Sequence, residues 1–226
     1  MRRELIVTKD GSASISVPEM RVTYHSIHGA ITESIHVFIN AGLKYALQDP
    51  GRKKLNILEI GFGTGLNAFL TLIEIQNIPV EVYYEAIDTN PLAQSEYEAL
   101  RFSDALSKDL ESVFLQMHVA AWNEENNITP KFVLNKNQCS LLDYASEQIF
   151  DLIYFDAFAP SAQPELWTTE IFERLFSITG IGGILVTYCA KGQVRRSMIS
   201  AGFQVEKLPG APGKREMLRA RRMQDA

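Results

Sequence analysis

Three closely spaced glycines are the residues of this chain whose type and spacing most clearly suggest a chemical site. Gly61, Gly63 and Gly65 directly follow a short apolar run, and a helical pattern begins at Leu66. Glycine has no Cβ, so its backbone can turn sharply and come close to a ligand. A strand, a glycine turn and a helix N-terminus in this order are typical of nucleotide-type sites. We therefore expect a ligand at this turn.

The spacing of the glycines distinguishes between two classes of cofactor. A dinucleotide fingerprint has the form G-x-G-x-x-G, and its third glycine would fall where this chain has Leu66. The form present here, G-x-G-x-G, is usual in enzymes that bind S-adenosylmethionine (SAM). The pattern therefore favours SAM over a nicotinamide cofactor, although a tight turn without a ligand would also account for it.

Two later predicted strands each end on an aspartate. Residues 80–87 run into Asp88, and residues 151–155 run into Asp156. In a doubly wound sheet, ligands bind at the carboxyl ends of the strands, and the acid after the second strand accepts hydrogen bonds from ribose. We predict that Asp88 binds ribose and that Asp156 borders the same crevice. The structural alternatives are a helix cap before Pro91 for Asp88 and a loop cap for Asp156.

The order of predicted elements places these residues in one α/β sheet. Seven strands alternate with helices, and a loop with two prolines and two glycines joins the last two strands. This order is that of the Rossmann-like class I SAM-dependent methyltransferase, whose seven-stranded, mostly parallel sheet ends in an antiparallel hairpin. We assign residues 51–226 to this domain and residues 1–50 to a small hairpin and helix extension packed on it. A further helix is predicted over residues 141–149.

Composition limits the classes of protein that the chain can represent. Its 226 residues are 46% hydrophobic and 22% charged, which is ordinary for a soluble globular domain. No apolar run reaches the roughly 18 residues of a membrane helix, and no signal peptide is recognisable, so we expect a cytoplasmic protein without membrane contact. The net charge of −5 disfavours a generally basic nucleic-acid binder, but residues 191–226 contain nine Lys or Arg and three acids. That section could neutralise phosphates or be a solvated surface.

Cysteine and histidine usage gives no metal-binding pattern. Cys139 and Cys189 are far apart and form no C-x-x-C pair. His25, His28 and His36 lie within twelve residues, but no H-E-x-x-H motif or carboxylate cluster accompanies them. We predict neither a disulfide framework nor a metal site.

Several groups of residues together resemble one family. They are G-F-G-T-G-L-N at residues 61–67, D-A-F-A-P with a following P-x-x-W at 156–167, V-R-R and A-G-F within 194–203, and G-K-R-E-M at 213–217. With D-G-S, Y-H-S and E-S in the first 34 residues, they look like the methyltransferase domain of the MnmC proteins over nearly the whole chain. The glycine loop is shared by many methyltransferases, and the D-A-F-A-P block joined to the G-K-R-E-M ending is far more specific.

The resemblance implies a role in tRNA modification. Bifunctional members join this domain to a flavin-dependent oxidase that exposes a 5-aminomethyl group on a modified wobble uridine. The methyltransferase domain then produces 5-methylaminomethyl-2-thiouridine. Because the sequence ends directly after the last predicted strand, we expect no FAD in this chain and a stand-alone methyltransferase. Its expected partners are tRNA and a separate enzyme that supplies the aminomethyl uridine.

Roles for individual residues follow from the resemblance and from the chemistry of amine methylation. Asp156 is predicted to accept a hydrogen bond from the substrate amine and orient its lone pair. Gln138 is expected near the adenine of SAM. The family often carries an acid at this position, and the amide oxygen of Gln138 can still accept a hydrogen bond from an adenine N–H. The residues expected at SAM are Glu33, Glu59, Gly61, Gly63, Gly65, Asn67, Asp88 and Gln138. Those expected at the tRNA are Phe158, Pro160 and Trp167 for the flipped uridine, and Lys191, Arg195, Arg196, Lys214 and Arg215 for phosphates. For Trp167, packing beneath the loop is an equal alternative.

Three other functions fit parts of the sequence. A small-molecule N- or O-methyltransferase, or an aminopropyl transferase, would share the fold, but basic residues on the last hairpin favour RNA. A nicotinamide-dependent oxidoreductase is disfavoured by Leu66. An RNA-binding module without catalysis would leave the glycine loop and Asp88 unexplained.

Overall fold

The structure, a computed structural model, describes residues 2–224. These residues contain eleven strands and eight α-helical segments. The strands are β1 (Glu4–Val7), β2 (Ala13–Val17), β3 (Val22–Thr23), β4 (Lys54–Ile60), β5 (Glu81–Ile87), β6 (Glu125–Thr129), β7 (Phe132–Asn137), β8 (Phe150–Phe155), β9 (Thr179–Thr187), β10 (Gln204–Pro209) and β11 (Glu216–Arg221). The helices are α1 (Ala30–Ser34), α2 (Lys44–Ala46), α3 (Leu66–Ile75), α4 (Gln94–Leu100), α5 (Phe102–Leu106), α6 (Glu111–Val119), α7 (Thr169–Ile178) and α8 (Gly192–Ser200), and a π-helix (Ile35–Leu43) joins α1 to α2. Over these residues, no helix combines the length and apolarity needed to span a membrane.

Strands β4 to β11 form one sheet in the order β10-β11-β9-β8-β4-β5-β7-β6. The five consecutive strands β9, β8, β4, β5 and β7 are parallel to one another. Strand β11 is antiparallel to both β9 and β10. The class I α/β fold with its C-terminal antiparallel hairpin is therefore confirmed.

An eighth strand extends the seven that the sequence predicts. Strand β6, with the sequence E-N-N-I-T, pairs antiparallel with β7 at the edge of the sheet. Asparagine is unfavourable in strands, so the local sequence indicates a loop. Pairing with β7 determines the strand conformation instead.

Side chains alternate along the central strands and build a separate core on each face of the sheet. In β4, Leu55 and Ile57 belong to the core that contains the π-helix and α3, and Leu58 and Ile60 belong to the core that contains α7 and α8. Burial on both faces explains why these strands read as nearly continuous apolar runs. Glu59 lies within this run and is fully buried.

The N-terminal extension joins the first of these cores through its helix. Strands β1 and β2 form the hairpin predicted around Asp10, and β3 adds a third strand to this separate small sheet. The ring of Phe38 in the π-helix is 1% exposed and lies 5.2 Å from the ring of Tyr154 in β8. The extension thus packs directly on the large sheet, and a domain boundary after residue 50 stays a prediction.

The helix predicted over residues 141–149 is wrong. Residues 141–143 form a turn, and residues 144–149 have no regular secondary structure before β8 begins. The Tyr144 hydroxyl donates to Glu85 Oε1 at 2.9 Å, and the Arg174 guanidinium donates to the carbonyls of Leu142 and Tyr144. Arg174 of α7 therefore satisfies backbone carbonyls that a helix would satisfy internally, and Glu85 of β5 fixes the Tyr144 side chain.

We expect Phe38→Ala to lower the free energy of unfolding by about 3–5 kcal/mol, because the ring fills a buried site in the shared core. Urea denaturation followed by circular dichroism measures the change. Asn40→Ala, at an exposed position of the same π-helix, is the control and should alter stability by less than about 0.5 kcal/mol. A Phe38→Ala protein with the wild-type midpoint would contradict the shared core.

Candidate active site

The glycine turn follows the carboxyl end of β4. Gly61, Gly63 and Gly65 have φ angles of +93°, +51° and +70°. A Cβ on Gly61 would lie 3.0 Å from the carbonyl oxygen of Asp156, and one on Gly63 would lie 3.0 Å from the ring of Tyr24. Both the backbone conformation and the space around it therefore require glycine.

Two aspartates lie at the ends of the strands on either side of β4. Asp88 follows β5, and its Oδ2 and Oδ1 accept the backbone N–H groups of Gly63 and Asn90, each at 2.8 Å. Asp156 follows β8, and its Oδ2 accepts Asn67 Nδ2 at 2.9 Å. Parallel pairing of β4 with both strands brings the two acids to the same turn.

A cavity of about 280 Å³ opens at this edge of the sheet. Loop residues Cys139 to Leu141 also contribute to its wall. Six of the predicted site residues line it: Gly61, Gly63, Asn67, Asp88, Asp156 and Phe158.

The N-terminal extension contributes residues that sequence reasoning missed. Met20, Tyr24 and His25 line the same cavity. The rings of Tyr24 and Phe158 pack edge to face with centroids 5.3 Å apart. The Y-H-S sequence at residues 24–26 is the signal that could have found two of them, because it belongs to the family resemblance.

A chain of polar groups connects the interior of β4 to Asp156. Asn67 Nδ2 donates to Glu59 Oε1 and to Asp156 Oδ2, each at 2.9 Å. Burial raises the pKa of Glu59 well above its ordinary value. Burial likewise raises the pKa of Asp156, and the neighbouring Glu33 carboxylate raises it further. In its ionised form, a carboxylate with a raised pKa is a stronger base than an ordinary one and accepts a proton from an amine more readily.

An unsatisfied atom in the cavity wall indicates that a polar ligand fits there. Asn67 lines the cavity, and its Oδ1 is buried and has no hydrogen-bond partner within the described residues. A buried polar atom without a partner is costly, so a ligand that supplies N–H groups would be stabilised there. The amino-acid part of SAM carries such a group, and the glycine turn leaves room for its close approach. The residues present therefore fit SAM.

Other predicted site residues lie around the cavity instead of in its wall. Gln138 is exposed, and its backbone N–H donates to Asn123 Oδ1 at 3.0 Å. Trp167 is 3% exposed, and its Nε1 donates to the Phe158 carbonyl at 2.9 Å. Burial leaves the indole no exposed face on which a base could stack, so it supports the loop from below. Pro160 lies in that loop and is partly exposed.

The predicted phosphate contacts fall into two groups. Lys214 is partly buried. Its Nζ donates to the Glu33 carboxylate and lies 3.9 Å from the centroid of the Tyr188 ring. Glu33 also accepts the Ser26 N–H at 2.8 Å, so both of its oxygens have protein partners. The exposed basic residues of the predicted set are Lys191, Arg196 and Arg215, and Arg195 is partly buried.

Histidines of the N-terminal extension make separate structural contacts. His25 Nε2 lies 3.2 Å from Thr64 Oγ1 in the glycine turn, and its Nδ1 lies 3.1 Å from Ser14 Oγ. Burial lowers the pKa of His25 to about 4, so its ring is neutral at pH 7. His36 Nε2 lies 2.8 Å from the Pro209 carbonyl. Across residues 2–224, no three His, Cys, Asp or Glu side chains are grouped so that they could hold a metal ion.

The sheet order, the G-x-G-x-G turn and the acid after the second parallel strand define a class I methyltransferase fold. Comparison with known proteins gives the family. The profile described as "S-adenosyl-L-methionine-dependent methyltransferase" matches residues 102–223, which is more than half of the chain. The chain belongs to this family of SAM-dependent methyltransferases.

Individual relatives agree with this assignment. A protein of Cupriavidus metallidurans named tRNA 5-methylaminomethyl-2-thiouridine biosynthesis bifunctional protein MnmC is 30% identical over 96% of this chain and 34% of its own length. A protein of Pseudomonas putida with the same name is 30% identical over 86% of this chain and 31% of its own length. The chain therefore spans about a third of the curated relatives that it matches.

Solved structures share the fold. The crystal structure of MnmC2 from Aquifex aeolicus has a TM-score of 0.78 and 23% identity, over 99% of this chain and 73% of that one. Spermidine synthase from Thermotoga maritima has a TM-score of 0.58 and 14% identity, over 97% of this chain and 68% of that one. At these identities the likeness concerns the architecture alone.

We expect Gly61→Ala to weaken SAM binding about tenfold or more, because the new Cβ would push against the Asp156 carbonyl that shapes the cavity. Isothermal titration calorimetry with SAM measures the change. Gly11→Ala is the matched control, since Gly11 also has a positive φ, of +83°, but no atom lies within 4 Å of the added Cβ. Both variants carry about 1–3 kcal/mol of backbone strain, and equal loss of SAM affinity in both would contradict a specific role for the turn.

Proposed function

We propose that the chain is a SAM-dependent tRNA methyltransferase that acts on the 5-aminomethyl group of (2-thio)uridine at the wobble position. Its product would be 5-methylaminomethyl-2-thiouridine. The observation that carries the proposal is the position of Asp156, which lines the cavity beside Phe158 and is bonded through Asn67 to Glu59. The names of the relatives that share nearly the whole chain support the choice of tRNA as substrate.

In the proposed reaction, the main task of the protein is to position the amine and the methyl group of SAM. SAM supplies a methyl group whose sulfur leaving group is already activated by positive charge. Holding the amine in line with this methyl group is worth about 7–11 kcal/mol. The glycine turn and Asp88 hold the cofactor in this proposal, and the Asp156 loop holds the amine.

Asp156 is proposed to orient the amine and to receive its proton. The attacking amine must be neutral, whereas an alkylamine has a pKa of about 10.4 and is mostly protonated at pH 7. Asn67 occupies Asp156 Oδ2, which leaves Oδ1 for the amine N–H. Because burial raises the pKa of Asp156, the proton affinities of carboxylate and amine are closer than in water, and transfer to Oδ1 costs less free energy.

The remaining wall suits a planar base. Phe158 lines the cavity and is held from below by the hydrogen bond from Trp167 to its carbonyl. An extruded uridine would stack on the Phe158 ring, as bases commonly do on aromatic side chains. The accessible basic residues of the C-terminal section would contact the phosphates. A separate enzyme would supply the aminomethyl uridine, and the cytoplasm is the proposed location because its tRNA substrate is found there.

The substrate is tested with labelled SAM and tRNA from cells that lack this methyl group. We expect nucleoside mass spectrometry to show that 5-aminomethyl-2-thiouridine becomes its methylamino form. Control reactions contain unmodified tRNA or a small-molecule extract and should incorporate no label. Label in the extract, and none in the tRNA, would identify a small-molecule methyltransferase instead.

Replacing the two aspartates should separate catalysis from cofactor binding. We expect Asp156→Ala to lower kcat about 10²-fold or more while SAM affinity stays near wild type, because the carboxylate acts on the amine. Asp88→Ala should weaken SAM binding about tenfold or more, because the variant has no charged hydrogen-bond acceptor for the ribose. Single-turnover kinetics and calorimetry measure the two effects. Equal SAM affinity in Asp88→Ala and wild type would remove the ribose assignment.

A further inference from the structure

Lys214 lies where three separate parts of the chain meet. It belongs to the loop between β10 and β11, its Nζ donates to Glu33 in α1, and it lies over the ring of Tyr188 just after β9. The Lys214 side chain is 31% exposed and that of Glu33 is 9% exposed. The ammonium group is therefore held by the protein instead of extending into solvent as a free lysine would.

Both partners of Lys214 connect it to the wall of the cavity. The Tyr188 hydroxyl donates to the carbonyl of Ala157 at 2.9 Å, directly next to Asp156. Glu33 accepts the N–H of Ser26 at 2.8 Å, in the segment that brings the N-terminal extension to the cavity. Lys214 thus ties the N-terminal helix and the end of β9 to the loop that carries Asp156.

Lys214 also supplies positive charge where acidic groups collect. The Glu33 carboxylate raises the pKa of Asp156 beyond the effect of burial, and the Lys214 ammonium lowers it. Without this cation, less of the Asp156 carboxyl would be ionised at a given pH. Other ionisable groups near this cation and the cavity are His25 before α1, Glu59 of β4, Asp88 after β5, and Tyr188 and Cys189 after β9.

We propose that Lys214 is a positioning residue for the methyl-acceptor side of the site, where it fixes Glu33 and Tyr188 against the Asp156 loop, and that it does not bind an RNA phosphate. This inference rests on the proposed function of the same site. If Lys214 turned toward a phosphate, the nearly buried Glu33 carboxylate would lose its cation, and an unpaired buried charge is strongly unfavourable. Contact with phosphates is left to exposed residues such as Arg215.

Kinetics of Lys214→Met, Lys214→Arg and Arg215→Met on aminomethylated tRNA test the proposal. Lys214→Met should lower kcat about tenfold and move the acid limb of the kcat/KM profile about one pH unit higher, because Asp156 loses a stabilising cation. The KM for tRNA and its salt dependence should stay at wild-type values. Lys214→Arg should restore both kcat and the pH profile, because the positive charge is retained.

Arg215→Met changes the exposed residue next to Lys214 and should give the opposite kinetic pattern. Removing a phosphate-binding charge there should raise KM and reduce the salt slope by about one, without a change in the pH profile. The same pattern in Lys214→Met would overturn the positioning role, and so would wild-type kinetics. If Lys214→Met does not fold, Lys214→Gln removes the same charge and gives the same comparison.

The pairing itself is tested without any methyl acceptor. Urea denaturation is followed for Glu33→Gln, Lys214→Met and the double variant. The urea midpoint of the double variant should be no lower than that of the less stable single variant. Additive losses would overturn the proposal for Lys214. If wild-type protein leaves aminomethylated tRNA unmethylated, the proposed function fails on its own, and the coupling between Glu33 and Lys214 can still be measured.

Discussion

The side-chain amide of Asn67 makes the two hydrogen bonds on which the site depends. It donates to Glu59 inside the sheet and to Asp156 at the cavity, each at 2.9 Å. Burial raises the pKa of both carboxyl groups, and the charge of Asp156 raises that of Glu59 further, so the site holds protons more readily than separate carboxylates in water would. Asn67 can make both bonds because the glycine turn starts α3 directly beside the end of β4.

The N-terminal extension completes a site that the sheet only begins. Parallel strands end at the glycine turn, Asp88 and Asp156, as in other doubly wound folds. The extension adds Tyr24 and His25 to the cavity wall, and its helix packs into the core beneath them. Buried and neutral, His25 reaches the glycine turn through Thr64, so the two parts of the site are positioned by one packed unit.

Errors in the sequence-based description fall where long-range contacts override local preference. Strand β6 has an asparagine-rich sequence, and it is a strand because β7 offers a free edge. The segment 141–149 has helical spacing, but Glu85 and Arg174 bind its polar groups in another conformation. The sequence leaves Trp167 either to stack on a base or to pack beneath its loop, and the contacts with β8 and α7 decide for packing.

The sequence alone determined the features that depend on local physics. Hydrophobic periodicity specifies which strands are buried, and only glycine readily adopts the three positive φ angles of the turn, so the fold class and the cofactor could be read from it. Tertiary structure decided which charged groups are paired and which are free. Glu33 and Lys214 are separated by 181 positions in the chain, and no local pattern predicts that they meet. The reason is physical: the direction and burial of a charged side chain depend on the elements packed around it, and those come from distant parts of the sequence.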